Sequence, residues 1–345
     1  ASTTEITVTI PDNNFSPLPP LILSIVNHNP LRGRPRLPSI STELAISILV
    51  VCFYVVFSLI TPNFSSEYNL INLLKQASVK GIVTIAVTFV FIAGQCDLTV
   101  GASTALSAMI CALLMSDHGW SPWSAIAVSV LCTLLVGVIN GFIVYELKVV
   151  PFIATLGMSS VIRGLIKYMC NARTIADLPS SFNNFAILKL GKIPLMVCVW
   201  VFVVVLAYLV LRYTVFGRNL YTIGSSQTVA TLSGINVRKY IYITYMLSAF
   251  LCAVAGIVMT TRLNSASSSG ATGFDMDAIA SAVVGGVSMS GATGTPLGAA
   301  LGTLLIMMIQ NGGIHLGINT FIMESISGLL VIFAVYFNYI SNKKR

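Results

Sequence analysis

Apolar runs of about 20 residues recur along nearly the whole of this chain. A run of that length, coiled as an α-helix, matches the thickness of the hydrocarbon core of a bilayer. The runs lack the short alternating pattern of membrane β-strands, which favours a helical bundle over a β-barrel. Charged residues make up only 9% of the chain, whereas soluble domains carry about 25%. The sequence therefore predicts an all-α, polytopic membrane protein.

The hydropathy pattern predicts about ten membrane-spanning helices. They cover residues 41–60, 70–93, 98–115, 122–145, 150–170, 194–211, 240–261, 276–289, 296–309 and 321–340. The third is short and rich in small residues, and the eighth is too short to cross a bilayer alone. Residues 1–38 are polar and Pro-rich, so we predict a cytoplasmic tail followed by one transmembrane domain over residues 39–345.

Lysine and arginine residues predict the orientation of the bundle. With both termini in the cytoplasm, the inner side receives Arg32, Arg34, Arg36, Lys148, Arg212, Arg218, Arg238, Lys239, Lys343, Lys344 and Arg345. The outer side or outer helix halves receive Lys75, Lys80, Arg163, Lys167, Arg173, Lys189, Lys192 and Arg262. The terminal clusters decide the orientation, because the opposite topology exposes both of them outside. Retention of loops in the cytoplasm thus explains the net charge of +8 better than nucleic-acid binding does.

A weak internal repeat links the two halves of the chain. Asp97 opens one small-residue helix and Asp277 opens another, and an Asn-Gly pair follows each, at Asn140 and at Asn311. The two copies lie five spans apart, an odd number, so they must run in opposite directions across the membrane. Inverted repeats with short, interrupted helices are a transporter architecture in which the solute passes between the halves.

Catalytic and cofactor motifs are missing from the sequence. It has no GxxxxGK[ST] phosphate loop and no GxSxG nucleophile elbow. The seven cysteines lie mostly inside apolar runs and lack CxxC spacing, which indicates free thiols rather than a zinc site or a disulfide framework. We therefore predict a protein that is not an enzyme and that holds no cofactor or metal.

The acids Asp97 and Asp277 are predicted to cap helices. An unpaired acid between apolar runs is costly in lipid, so it must cap a helix, line water or pair with a cation. An aspartate directly before a helix accepts hydrogen bonds from the first free N–H groups of that helix. On this interpretation Asp97→Asn keeps much of the activity, because asparagine caps comparably.

A long cytoplasmic loop, residues 213–238, is the candidate docking element. Gly224 predicts a turn, and Ser225 or Ser226 can cap a short helix that ends at Gly234. A short helix outside the membrane suits a soluble partner. We expect its small side chains to make the contact and Ala230→Glu to leave the protein folded. The candidate residues are Gly217, Arg218, Gly224, Ser225, Ala230, Thr231, Ser233 and Gly234.

Several motifs resemble the permease subunits of ribose-, galactose- and arabinose-type ABC importers. Residues 216–218 (FGR), 223–224 (IG) and 233–235 (SGI) match the cytoplasmic loop pattern of that family. Its GGIDLSVG stands here as GQCDLTVG over residues 94–101, and its PFIATL stands unchanged at residues 151–156. Its YELDAIAAVVLGG resembles FDMDAIASAVVGG at residues 274–286. The likeness runs from about residue 41 to residue 340 with the motifs in order.

The resemblance implies partners and a location. Two permease subunits, identical or different, form the pore in the bacterial inner membrane. ATPase subunits dock at the cytoplasmic loop, and a periplasmic binding protein delivers the solute. The chain departs from the family at Gln95 and Cys96, which bears on the solute, and at Ser225 and Ser226, which bears on docking.

Three functions fit these observations. The first is a passive importer subunit for a sugar-like solute, with pentose, hexose, autoinducer-2 and polyol all open. The second is an autonomous secondary transporter, with Asp97, Asp277 and Glu324 as the acids that would bind a coupling ion. The third is a scaffold or receptor without transport. A neutral, polar solute path is predicted, with hydroxyl and amide groups suited to sugar hydroxyls on Ser103, Asn140, Thr155, Ser281 and Asn311.

Overall fold

Helices dominate the part of the chain that the structure describes. A computed structural model describes residues 40–182, 188–191 and 193–319, together with single positions between 322 and 336. The predicted tail over residues 1–38 and most of the tenth predicted span lie outside the described residues. All the described residues belong to one compact unit, Leu37–Arg345.

The helices follow one another with short connections. They are α1 Ile40–Ile60, α2 Glu67–Ile92, α3 Val100–Ser116, α4 Pro122–Tyr145, α5 Pro151–Cys170, α6 Leu195–Tyr213, α7 Val215–Ser225, α8 Gln227–Leu232, α9 Val237–Leu263, α10 Phe274–Val284 and α11 Pro296–His315. Two small antiparallel pairs join β1 Ile175–Ala176 to β4 Ser265–Ala266, and β2 Lys189–Leu190 to β3 Ile193–Pro194.

Six of the described helices are long and apolar enough to cross a membrane, namely α1, α2, α4, α6, α9 and α11. Helix α3 is also apolar but only 17 residues long. Helix α10 has 11 residues, which agrees with the prediction that this segment is too short to cross alone. The chain is therefore a multi-pass membrane protein with a mostly helical fold.

Helix α2 lies at the centre of the bundle and α1 at its edge. The most apolar 18-residue window of α2 is 78% buried, whereas that of α1 is only 6% buried. Helix α2 packs against α6, α9, α10 and α11, and α9 packs in turn against α3 and α4. The difference explains their sequences, because α2 must satisfy protein neighbours on all sides while α1 presents bulky apolar side chains outward.

Buried hydroxyls on these helices are satisfied within their own helix. A threonine can bond the carbonyl four residues earlier, which leaves no unpaired polar group in an apolar setting. The structure shows this bond, 2.7–3.0 Å long, at Thr84, Thr88, Thr104, Thr133, Thr260 and Thr303. A polar side chain inside a span is therefore not by itself a sign of solute contact.

The connections collect at two ends of the bundle. The α8 end holds α7, α8, the turn between α4 and α5, and residues 285–295; there Glu146 forms an ion pair with Arg238 at 2.6 Å. The opposite end holds the turn between α1 and α2 and the two β pairs, and Arg173 there forms an ion pair with Asp117. Because α2 and α9 run between the two ends, a movement at one end can reach the other.

Candidate functional site

Helices α7 and α8 form a separate element at the α8 end. Thr214 ends α6 and caps α7, and its hydroxyl accepts the Gly217 N–H at 3.2 Å. A side chain at Gly217 would overlap the backbone of Leu211, so glycine is required for this tight turn. Gly217 therefore shapes the entry to the element, and its role is structural.

Helix α8 occupies the position predicted for the short helix. Ser226, the second of the two candidate serines, is its N-cap and accepts the Val229 N–H at 3.3 Å. Gly234 follows with a φ of +78°, and the Ile235 N–H reaches back to the Ala230 carbonyl at 3.0 Å. This is a Schellman termination, which needs glycine at the left-handed position. Ser225 belongs to the end of α7 instead.

Burial divides the candidate residues of α8 in a way that corrects the expectation for Ala230. Ala230 is fully buried and packs with Ile223, Val237 and Ile241. A glutamate there would bury a charge, so Ala230→Glu would not leave the protein undisturbed. Thr231 is exposed, as are Ser233 and Arg218. Ala230 therefore supports α8 from inside and offers no docking surface.

The outward face of α8 carries two apolar side chains that are absent from the sequence-based candidates. Val229 is 55% exposed and Leu232 is 84% exposed. Their spacing of three residues on a capped helix was a signal that could have identified them, since residues at i and i+3 share a face. Exposed apolar side chains outside the membrane indicate a surface that another protein covers.

Three glycines join this element to the bundle. Gly94 follows α2, Gly224 lies in α7, and Gly291 lies in the connection between α10 and α11. A Cβ on Gly224 would overlap the Ile92 carbonyl, and one on Gly291 would lie 2.5 Å from the Gly224 carbonyl oxygen. The three backbones are in direct contact, so α7 cannot shift without moving the end of α2.

Hydrogen bonds reinforce this glycine junction. The Ala292 N–H donates to the Ile92 carbonyl at 3.1 Å, and the Tyr221 hydroxyl donates to the Gly294 carbonyl at 2.7 Å. Burial raises the pKa of the Tyr221 hydroxyl, which therefore remains a hydrogen-bond donor. One residue further on, Thr295 donates to Glu43 of α1 at 2.5 Å. Helices α1, α2, α7 and α11 therefore meet at this junction.

A buried polar network surrounds Asp97, three residues beyond Gly94. Its carboxylate accepts the Thr99 N–H at 2.9 Å, the Thr99 hydroxyl at 2.5 Å and the Ser248 hydroxyl at 2.8 Å. Asn140 of α4 donates to the Thr99 hydroxyl oxygen at 3.0 Å. Thr99 itself occupies the N-cap position of α3 and makes no side-chain cap bond. Asp97 thus orders the turn before α3 and ties it to α9, in place of the direct cap that was predicted.

We expect Asp97→Asn to keep most of the transport activity and Asp97→Leu to lose it. An asparagine oxygen can accept both bonds from Thr99 while its amide donates to Ser248, whereas leucine leaves buried donors unpaired. Each such donor costs about 1–3 kcal/mol. Thermal unfolding and solute uptake of both variants check this. Abolished uptake in a well-folded Asp97→Asn protein would show that the charge itself is needed.

Asp277 makes an ion pair instead of the predicted cap. Gly273 is the N-cap of α10, and Asp277 lies one turn inside the helix. Its carboxylate lies 2.5 Å from Lys80 Nζ of α2 and accepts the amide of Gln310 of α11 at 3.1 Å. Lys80 also donates to the Gln310 side-chain oxygen at 2.9 Å. The pairing satisfies a carboxylate that a cap position would have left to backbone N–H groups.

The five candidate path residues do not form one cluster. Ser103, Asn140, Thr155 and Ser281 are buried, and Thr155 bonds its own helix at the Pro151 carbonyl, 2.8 Å away. Asn311 forms a reciprocal amide pair with Asn69 near the opposite end of the bundle. Ser103 Oγ and Asn140 Oδ1 have no hydrogen-bond partner within the described part of the chain.

Comparison with known proteins now identifies the family. A family model described as a branched-chain amino acid transport system permease component matches residues 69–335. The chain belongs to this permease family. The matched residues contain the Asp97 network, the glycine junction, α7, α8 and the Lys80–Asp277 pair.

Relatives within the family are import permeases of bacteria. The chain is 34% identical to the ribose import permease protein of Bacillus subtilis over 296 residues, which are 85% of this chain and 90% of that one. It is 31% identical to the galactose/methyl galactoside import permease protein of Escherichia coli over 306 residues, 84% of this chain and 90% of the other. No solved structure matches the chain significantly. The relatives are transport subunits, which agrees with a role other than catalysis.

Proposed function

We propose that this chain is the membrane-spanning subunit of an ABC importer that carries a neutral, sugar-like solute, and that a separate ATPase drives it. The observation that carries the proposal is the α7–α8 element, which stands outside the spans and is joined to α2 through Gly94, Gly224 and Gly291. A rigid link between a docking helix and a central span suits a subunit whose movement comes from a partner. The names of the ribose and galactose permeases support the solute class.

The α8 end is the cytoplasmic end in this proposal. Five basic residues lie in its connections and helix ends, namely Lys148, Arg212, Arg218, Arg238 and Lys239. Loops retained in the cytoplasm carry an excess of such residues. Both termini are then cytoplasmic, with the binding protein docking at the opposite, periplasmic end.

An inverted repeat of ten spans is also part of the proposal. Helices α3, α5, α10 and the segment 321–340 complete the six long apolar spans. The packing supports the repeat, because α2 contacts α10 and α11 while α9 contacts α3 and α4. The order α2, α3, α4 thus corresponds to α9, α10, α11, with each leading helix packed against the trailing pair of the other repeat.

The solute path runs past the Asp97 network and, in our proposal, opens only when the partner acts. Ser103 and Asn140 are buried yet keep unsatisfied polar atoms, unlike most buried polar groups. Such atoms can bond the hydroxyls of a passing sugar. The exposed row Gly157, Ser160 and Gly164 on α5 allows close approach of a second permease subunit.

A secondary transporter is less well supported by the geometry. That class needs membrane acids free to bind a coupling ion. Asp97 accepts three hydrogen bonds and Asp277 is paired with Lys80, while Glu324 lies outside the described residues. Both described acids already have structural partners.

We expect sugars and polyols, but no charged solutes, to compete for uptake. The chain is reconstituted with its ATPase and binding protein, and uptake of a labelled sugar is measured with ribose, galactose, a polyol, leucine and glutamate as competitors. Uptake that needs ATP and is blocked by one neutral polyhydroxy compound supports the proposal. Uptake driven by an ion gradient without ATP would favour the secondary transporter instead, and competition only by charged solutes would overturn the solute class.

A further inference from the structure

An apolar groove of about 450 Å³ opens on the surface between α6 and α9. Val203, Leu206 and Val210 form one wall, Ile243 and Leu247 form the other, and Phe216 of α7 lies at its base. Every side chain that lines it is apolar. Its walls belong to two helices that are long and apolar enough to cross the membrane, so the groove faces the lipid at membrane depth.

The length of the groove matches one leaflet of a bilayer. Its lining on α6 extends from Val199 to Val210, and 11 residue steps of α-helix rise about 16 Å. Half of a hydrocarbon core of about 30 Å is about 15 Å. A single acyl chain is therefore long enough to fill it.

Two cations without acidic partners stand at the inner end of the groove. Lys239 lies four residues before Ile243, on the same face of α9. Arg212 lies in the last turn of α6, with its guanidinium 5.7 Å from the ring centroid of Tyr213. Neither forms an ion pair within the described residues, where Glu146 is taken by Arg238. Both side chains are exposed and can bind an anion at the membrane surface.

We propose that this groove binds an anionic glycerophospholipid of the cytoplasmic leaflet, with one acyl chain in the groove and the phosphate between Arg212 and Lys239. Basic side chains at the cytoplasmic surface attract anionic lipid. The assignment of the leaflet rests on the proposed orientation, whereas the binding of lipid does not.

Lipid in the groove would hold α7 in place. Phe216 packs against Phe89 of α2, with ring centroids 6.5 Å apart, and stacks on Tyr240 at 5.6 Å. A chain that fills the groove contacts Phe216 and Phe89 together. It therefore steadies the helix that leads into α8, and transport becomes sensitive to anionic lipid.

Binding of two lipids with identical chains to the full-length protein tests the proposal. Phosphatidylglycerol and phosphatidylcholine are titrated into the detergent-purified protein, and bound lipid is counted by native mass spectrometry. We expect phosphatidylglycerol to bind more tightly. Lys239→Gln and Arg212→Gln each weaken it about fivefold, which corresponds to about 1 kcal/mol for a basic residue at the surface. The matched control Lys148→Gln, at the same end but away from the groove, leaves binding unchanged.

A second pair of variants tests the groove itself. Leu206→Trp fills it and lowers the binding of both lipids, whereas Leu131→Trp, on the exposed apolar face of α4, does not. Equal binding of the two lipids together with equal effects of Lys239→Gln and Lys148→Gln would overturn the headgroup assignment. Unchanged binding in Leu206→Trp, or a disulfide-linked dimer formed by Leu206→Cys in vesicles, would show that the groove holds no lipid or is covered by a second copy.

Discussion

Leu232→Glu should abolish most solute uptake while leaving the protein folded and inserted. Leu232 is 84% exposed on the outward face of α8, so a carboxylate there remains in water and costs little in the isolated protein. In the proposed complex the same side chain is buried against the ATPase. Truncation of an interface anchor costs about 2 kcal/mol or more, which corresponds to a loss of affinity of about 30-fold or more. Uptake in proteoliposomes and co-purification of the ATPase subunit measure the effect.

The control for this prediction is the same substitution on the same side of the membrane. Leu147→Glu lies in the turn between α4 and α5, where Leu147 is also exposed, and it should keep normal uptake. Thr231→Cys, beside Leu232, should crosslink to the ATPase subunit. If no crosslink forms and Leu232→Glu transports normally, α8 is not the coupling element and the proposed function loses its main structural support.

Lys80→Met should strongly lower the stability of the folded protein. Lys80 and Asp277 are only 18% and 14% exposed. Removal of Lys80 leaves the Asp277 carboxylate in an apolar bundle with Gln310 as its remaining side-chain partner among the described residues. Removing one partner of a buried pair costs about 3–5 kcal/mol. The midpoint of thermal unfolding in detergent should fall accordingly.

Two further variants distinguish the ion pair from the loss of a long side chain. Lys75→Met removes a lysine from the same helix that forms no ion pair within the described residues, and its midpoint should change little. The double variant Lys80→Met with Asp277→Leu should recover most of the lost stability, because it removes the unpaired charge. Equal destabilisation by Lys75→Met and Lys80→Met would show that the pair contributes nothing specific.

Burial explains why the sequence predicted some site residues and misplaced others. Ser226 and Gly234 were predictable because capping and termination depend on local backbone geometry. Ala230 was misplaced because a six-residue helix has two faces, and only its packing against Val237 and Ile241 shows which face is inside. For the same reason Val229 and Leu232 were overlooked.

The sequence by itself determined the membrane-spanning helical class, the family and the position of the short helix α8. These depend on runs of apolar residues, ordered motifs and local caps, which are properties of neighbouring residues in the chain. Only the tertiary structure decided what Asp97 and Asp277 do. Ser248 lies 151 residues from Asp97, and Lys80 lies 197 residues from Asp277. The contact at Gly94, Gly224 and Gly291 likewise joins three distant segments, and only helix packing brings such segments together.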